Sequence, residues 1–172
     1  TNSWTLLPIQ ADGVHGPEGR IGFSFVMFNE DTALLTSGGC SVEVAPHGQC
    51  ESQWLFHPAE NRWSTVASRG DPGARRATSA DVAVGGIIYQ FGGLFQNGTQ
   101  ALLFDDLHAL ETTTFTWLPL FPNFNQGPRP PPTFGHSLVR IENRLVLFGG
   151  RINSPADAGS SQLWEYTTIP HH

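Results

Sequence analysis

The sequence predicts an all-β chain made of repeated four-stranded units, and three observations carry that prediction. Short apolar runs stop at a double glycine three times, at Gly38-Gly39, Gly92-Gly93 and Gly149-Gly150. Tryptophans recur at a matching period, with Trp4, Trp63 and Trp117 separated by 59 and 54 residues. Turn formers abound, with 19 Gly and 13 Pro among 172 residues, and no pattern of helical period competes with the short runs.

The elements follow in order. Trp4-Thr5-Leu6-Leu7-Pro8 reads as a short apolar strand whose partner is not nearby in sequence. From Gly22 to Phe28 a first strand runs into the Asn29-Glu30-Asp31 turn, and a second, Thr32 to Ser37, stops at Gly38-Gly39. After a long loop, Gln53 to Phe56 and Arg62 to Val66 form a second hairpin across Pro58 to Asn61. The next unit pairs Ala80–Val84 with Ile87–Phe91 across Gly85-Gly86, then Asp106–Leu110 with Phe115–Leu118. A third unit opens at Gly127-Pro128-Arg129, carries strands around Leu138–Ile141, Leu145–Phe148 and Gln162–Thr167, and lacks a closing tryptophan strand. His171-His172 read as a purification-tag remnant.

Between the second glycines, Gly39 to Gly93 is 54 residues and Gly93 to Gly150 is 57. Periods of this length are typical of propeller blades. The double glycines, the strand-four tryptophans, and the connectors Pro72 to Arg75 and Pro128 to Ser137 together resemble the kelch-repeat β-propeller family. The resemblance implies three four-stranded antiparallel blades over residues 1–170: an outermost strand at 1–8, blades at 20–67 and 76–119, and three strands of a blade at 134–168. Three blades are too few to close a ring. The resemblance therefore implies that the N-terminal strand completes a blade in a partner copy or within a larger ring, as in kelch rings closed by strands from both chain ends.

Composition narrows the function. Net charge is -6, from 15 acids against nine arginines and no lysine, which argues against general binding to nucleic acid. No apolar run reaches the roughly 18–20 residues of a membrane-spanning helix, so membrane insertion is not expected. Cys40 and Cys50, ten residues apart, read either as a loop disulfide or as two free thiols, and Asn97-Gly98-Thr99 is a glycosylation sequon. Taken together they lean towards a secreted or luminal setting, against a cytoplasmic alternative in which both features are incidental.

Within each unit the strand 2–3 loops and the connectors between units are long, and alternation of strand direction brings both to one face. That face carries Arg20, Arg75, Arg76, Arg129 and Arg151, with Phe95, Phe121, Phe124 and Phe134 as apolar candidates. Guanidinium groups suit carboxylates, so an acidic protein segment is the expected partner. Kelch relatives are similarly expected to hold partner proteins on these loops. The competing role for Arg75 and Arg129, placed at matching repeat positions, is to tie a connector to the neighbouring blade. Tyr89, Tyr166 and the histidines show no shared metal-ligand spacing, so no cofactor or catalytic residue is expected. The expected function is a non-catalytic protein-binding scaffold, with a self-assembling structural protein and a fragment of a propeller enzyme as alternatives.

Overall fold

Alternating apolar residues in short runs become strands that bury one side chain per face. The computed structural model describes residues 2–9, 16–40, 50, 52–97, 100–120, 128–152 and 159–168, and the side chains of 97 and 100 are not described. Three blade sheets follow one another along the chain, with two separate two-stranded ribbons among the described residues. The first blade is β1 (Ser24–Met27), β2 (Ala33–Thr36), β3 (Trp54–His57) and β4 (Arg62–Thr65), hydrogen-bonded in that order. A two-residue strand, β5 (Arg69–Gly70), then crosses to the next sheet. The second blade is β6 (Ala80–Val84) and β7 (Ile87–Phe91), an inserted hairpin β8 (Leu94–Asn97) and β9 (Gln100–Leu103), then β10 (Leu107–Glu111) and β11 (Thr116–Pro119). The third follows β12 (Thr133–Phe134) and is β13 (Ser137–Ile141), β14 (Arg144–Phe148) and, after β15 (Arg151–Ile152), β16 (Leu163–Thr167), while β12 and β15 pair with each other as a separate ribbon.

Neighbouring blade strands are antiparallel throughout, and β5 alone joins parallel, beside β11. The inner hairpin of the second blade turns on Gly85 and Gly86 with φ of 57° and 83°, the left-handed pair that a tight two-residue turn requires.

The core lies between the sheets. Leu34 of the first blade packs with Ile88, Leu110 and Trp117 of the second. Tyr89, Phe91, Leu107 and Ala109 on the opposite face of the second blade meet Leu145 and Leu147 of the third. Each fully buried side chain of this kind contributes about 1.5–3 kcal/mol. Because the second blade is covered on both faces, β7 is buried continuously from Ile88 to Phe91. In β14, by contrast, Leu145 and Leu147 are buried while Phe148 is 55% exposed. The same strand type therefore reads as a continuous apolar run or as an alternation, according to how many of its faces are packed.

Structural equivalence corrects the repeat register. Gly93 donates its N–H to Thr133 O at 2.8 Å, and the residue making the matching bond, to Arg76 O at 3.0 Å, is Gly38 rather than Gly39. Ser37-Gly38 thus takes the place of Gly92-Gly93, and Ser37 adopts φ 60° where Gly92 has 61°. Counting glycine pairs misplaced the first blade by one residue, because a serine occupies a left-handed position.

Residues 2–9 join no sheet. Trp4 and Leu6 are fully exposed, while Asn61 Nδ2 donates to Pro8 O at 3.1 Å and holds the segment beside the first blade. The strand expected there is not formed, and no residue of 2–9 pairs with a described strand.

Candidate functional site

The long connections gather at one end of the sheets and are stitched together. Ile21 bridges Gly39, Ala77 bridges Leu94, and Phe134 pairs with Arg151, one pairing per blade. Adjacent connectors are joined as well, since Thr78 N–H donates to Gly22 O at 2.6 Å and Gly135 N–H to Thr78 O at 3.0 Å. The stretch 94–103, expected as a loop, folds into the β8–β9 hairpin with Phe95 opposite Leu102. The apolar clusters Leu94-Phe95 and Ala101-Leu102-Leu103 on either side of Asn97-Gly98 supplied a hairpin signal that the long-loop reading passed over.

The arginines of this end divide into two kinds. Arg76 is buried; its guanidinium grips the Asp106 carboxylate at 2.6 and 2.8 Å, donates to Gly92 O at 3.0 Å and lies over the Phe104 ring. Arg20, at the matching position one blade earlier, donates to Ser37 O at 3.2 Å and Ser52 O at 3.1 Å and pairs with Glu18. Their guanidinium groups are turned inward, so Arg20 and Arg76 are removed from the set of partner-facing residues. A connector that must bury its backbone near a sheet end needs a multidentate donor for the carbonyls there, and arginine supplies it. The expected equivalence of Arg75 and Arg129 also falls: the paired positions Ala77 and Phe134 place Arg129 three residues further upstream than Arg75.

Arg75, Arg129 and Arg151 remain at the surface or partly so. Arg75 is exposed at the rim of a cavity of about 300 Å³ between the first two blades. Arg129 pairs with Asp105 at 2.8 Å and edges a second cavity, of about 280 Å³, between the second and third blades. Arg151 is exposed, lies over the Phe134 ring, and borders a cavity of about 290 Å³ between the β8–β9 hairpin and β15. Phe95 is half-buried in β8. Phe121 and Phe124 lie outside the described residues, as do Gly98, Thr99 and the side chain of Asn97.

Cys40 and Cys50 are joined as a disulfide with Cα atoms 5.3 Å apart. Glu18 lies close to both sulfurs, but their bonding to each other removes them as metal ligands. Tyr89 and Tyr166 face each other across the second seam with ring centroids 6.5 Å apart, in apolar surroundings that raise both phenol pKa values. No helix among the described residues is long and apolar enough to cross a membrane.

A polar chain at the first seam is absent from the sequence reading. Gln90 Nε2 donates to Ser37 Oγ at 3.0 Å and to Asp81 Oδ2 at 3.1 Å, while Ser79 and Ser37 hydroxyls lie 3.4 Å apart. Burial raises the Asp81 pKa from 3.8 to about 7, against hydrogen bonds from Gln90, Ser24 and Ser79 and the charge of Arg76. Nearby, burial works against the Asp106 charge, but the Arg76 contacts hold its pKa below the usual range. His108 is buried 3.5 Å from Asp106; desolvation lowers its pKa despite that carboxylate. His136 packs edge-on against Phe91 at 5.5 Å, and burial takes it down to about 4. The signal for the polar chain was available: Asp81 and Gln90 interrupt a face that β13 and β14 fill with Leu138 and Leu147.

Fold and site together define a three-blade segment of a β-propeller whose blade ends form one built surface. Residues 1–150 match the KLHDC2/KLHL20/DRC7 Kelch-repeats domain, and the chain belongs to this kelch-repeat family. It is 35% identical over 154 residues to Kelch domain-containing protein 3 of Rattus norvegicus, covering 86% of this chain and 37% of the relative. Host cell factor 1 of Homo sapiens is 32% identical over 142 residues, covering 82% of this chain and 6% of the relative. The solved structure of YjhT superposes with a TM-score of 0.61 at 19% identity, over 80% of this chain and 36% of that one. The chain thus spans little more than a third of the Kelch domain-containing relative.

Proposed function

We propose that the chain is a non-catalytic scaffold that holds another protein on the face made by its strand 2–3 connections and inter-blade connectors. The observation that carries this reading is the division of the arginines. Arg20 and Arg76 are consumed in bracing the connectors, and that bracing gives Arg75 and Arg151 a rigid platform on which to stand exposed. Arg151 sits beside the groove under the β8–β9 hairpin, where Leu94, Leu103, Phe134 and Ile152 supply apolar lining. A cationic rim around an apolar groove suits a protein segment carrying an apolar anchor next to acidic side chains. Membership of the kelch family supports the scaffold reading, and the burial of His108 and His136 among structural contacts fits a non-catalytic one.

Affinity capture with the chain and with an Arg75→Ala/Arg151→Ala variant tests the face. Loss of both cations is expected to weaken capture of a partner at least about tenfold, more steeply at low salt, with the circular dichroism spectrum unchanged. Undiminished capture by the folded double variant would overturn the assignment.

A further inference from the structure

The cavity of about 300 Å³ between the first two blades is walled by polar side chains that are themselves deeply buried. Thr36, Arg76, Gln90 and Trp117 line it, and each is at most 3% exposed. Several of the groups in this wall are engaged within the chain. Arg76 is held by Asp106, Gly92 O and Ala74 O, and Gln90 Nε2 donates to both Ser37 Oγ and Asp81 Oδ2. Two atoms in the wall residues differ. Trp117 Nε1 and Gln53 Oε1 are buried without a hydrogen-bond partner among the described residues, and both residues line the cavity. A buried N–H or C=O left unpaired carries the full cost of its desolvation, so two of them around one cavity mark a place for an outside group.

The chemistry of that group follows from the pair. The indole nitrogen only donates, and the amide oxygen only accepts. The cation in the wall is already neutralised, because Arg76 is paired with Asp106. A carboxylate would set a second acceptor against Gln53 Oε1, and an ammonium or guanidinium group would set a second donor against the indole N–H. A primary carboxamide offers a carbonyl and an NH₂ group from one planar unit, and so answers both. The mouth of the cavity is built to keep its shape. Gly73 lines it with φ 72°, and a Cβ there would come within 2.5 Å of Arg76 Nη2 and 2.6 Å of His108 Cε1. The connector is therefore seated tightly on two buried side chains, which leaves little reorganisation for a ligand to impose.

We propose that this cavity takes the side-chain carboxamide of an asparagine or glutamine in a bound protein segment. The carbonyl accepts from Trp117 Nε1, and the NH₂ group donates to Gln53 Oε1. The assignment rests on the loop-face reading and names the residue type selected between the first two blades. Pro72 and Ala74 border the cavity beside the exposed Arg75, and they supply contact for the methylene stem.

The indole N–H reports its own occupancy. In a nitrogen-15 correlation spectrum of the full chain, the Trp117 indole peak is the one of five that Trp117→Phe removes. Titration with the N-acetyl methylamides of asparagine and glutamine is expected to move that peak downfield with one of them, saturating at about 1–10 mM. The matching aspartate or glutamate compound keeps an acceptor but loses the NH₂ group, and is expected to bind at least about tenfold more weakly. Gln53→Met should cost a similar factor with the other indole peaks unmoved, whereas Gln53→Glu, which keeps an acceptor oxygen, retains most of the affinity. The titration reads the cavity with no partner protein present, while capture by Arg75→Ala/Arg151→Ala reads the face, so the two readings fail separately. A Trp117 peak that neither amide moves, or that the acids move equally well, would overturn the proposal and leave the unpaired atoms to internal water.

Discussion

The two seams between blades occupy equivalent places and are built from opposite chemistry. Between the first and second blades the positions nearest the loop face are Asp81 and Gln90, hydrogen-bonded on to Ser37. Between the second and third blades the same positions are Leu138 and Leu147, packed on Phe91 and Leu107. Both seams share an apolar body, so the difference is confined to one end. An apolar seam is held by burial, which is non-directional and nearly independent of pH. A polar seam sets the relative placement of the blades through directional bonds, and it makes stability depend on the protonation of one carboxyl group.

The largest expected effect comes from opening the first seam. Trp117→Ala should destabilise the chain by about 3–5 kcal/mol in urea unfolding, since it empties a fully buried site against Leu34 and Leu110. A loss under 1 kcal/mol would mean that the seam collapses around the gap and that Trp117 does not organise it.

Next is Arg76→Ala, which strips Asp106 of its bidentate partner and Gly92 O of a donor. Asp106 is a third exposed, so the cost is expected to be roughly 2–3 kcal/mol rather than that of a wholly buried orphan charge. Arg75→Ala on the adjacent residue should change stability by less than about 0.5 kcal/mol. Equal effects at the two positions would erase the distinction between bracing and surface arginines.

The pH dependence isolates Asp81. Its folded pKa of about 7 lies above the ordinary 3.8, so the folded chain retains a proton that the unfolded chain releases. Its contribution is therefore fully present below about pH 4 and is lost as pH rises through 7. Allowing for partial contact with water, the loss should be roughly 2 kcal/mol. Asp81→Asn should flatten this part of the stability profile, and a wild-type profile already flat from pH 4 to 7 would reject the assignment. The smallest effect is expected from Asp81→Leu with Gln90→Leu, which copies the second seam into the first. At pH 5, where Asp81 holds its proton, the double variant should stay within about 1 kcal/mol of the parent chain, because Asp81 and Gln90 are removed together and new apolar packing offsets the partner that Ser24, Ser37 and Ser79 each lose. A larger loss would show that the Ser37–Gln90–Asp81 chain is worth more than packed leucines.

Much of the blade architecture was legible because strand period, turn chemistry and repeat spacing are local properties. Gly85-Gly86 marked the tight turn, Trp63 and Trp117 marked the fourth strands, and β7 and β14 were delimited by the glycines that follow them. The surface at the blade ends was less legible. Arg20, Arg75, Arg76, Arg129 and Arg151 look alike in sequence. Which of them point inward depends on where carbonyls such as Ser37 O and Gly92 O end up, tens of residues away.

By itself, then, the sequence determined an all-β kelch chain of three blades, the glycine and tryptophan positions that delimit its strands, and the acidic balance that disfavours nucleic acid. Tertiary structure alone decided the role of Ser37 in a glycine's place and the withdrawal of Arg20 and Arg76 from the surface. The physical reason is range. Propensity and period act within a few residues, whereas burial, desolvation and carbonyl satisfaction are set by whichever distant strand is packed alongside.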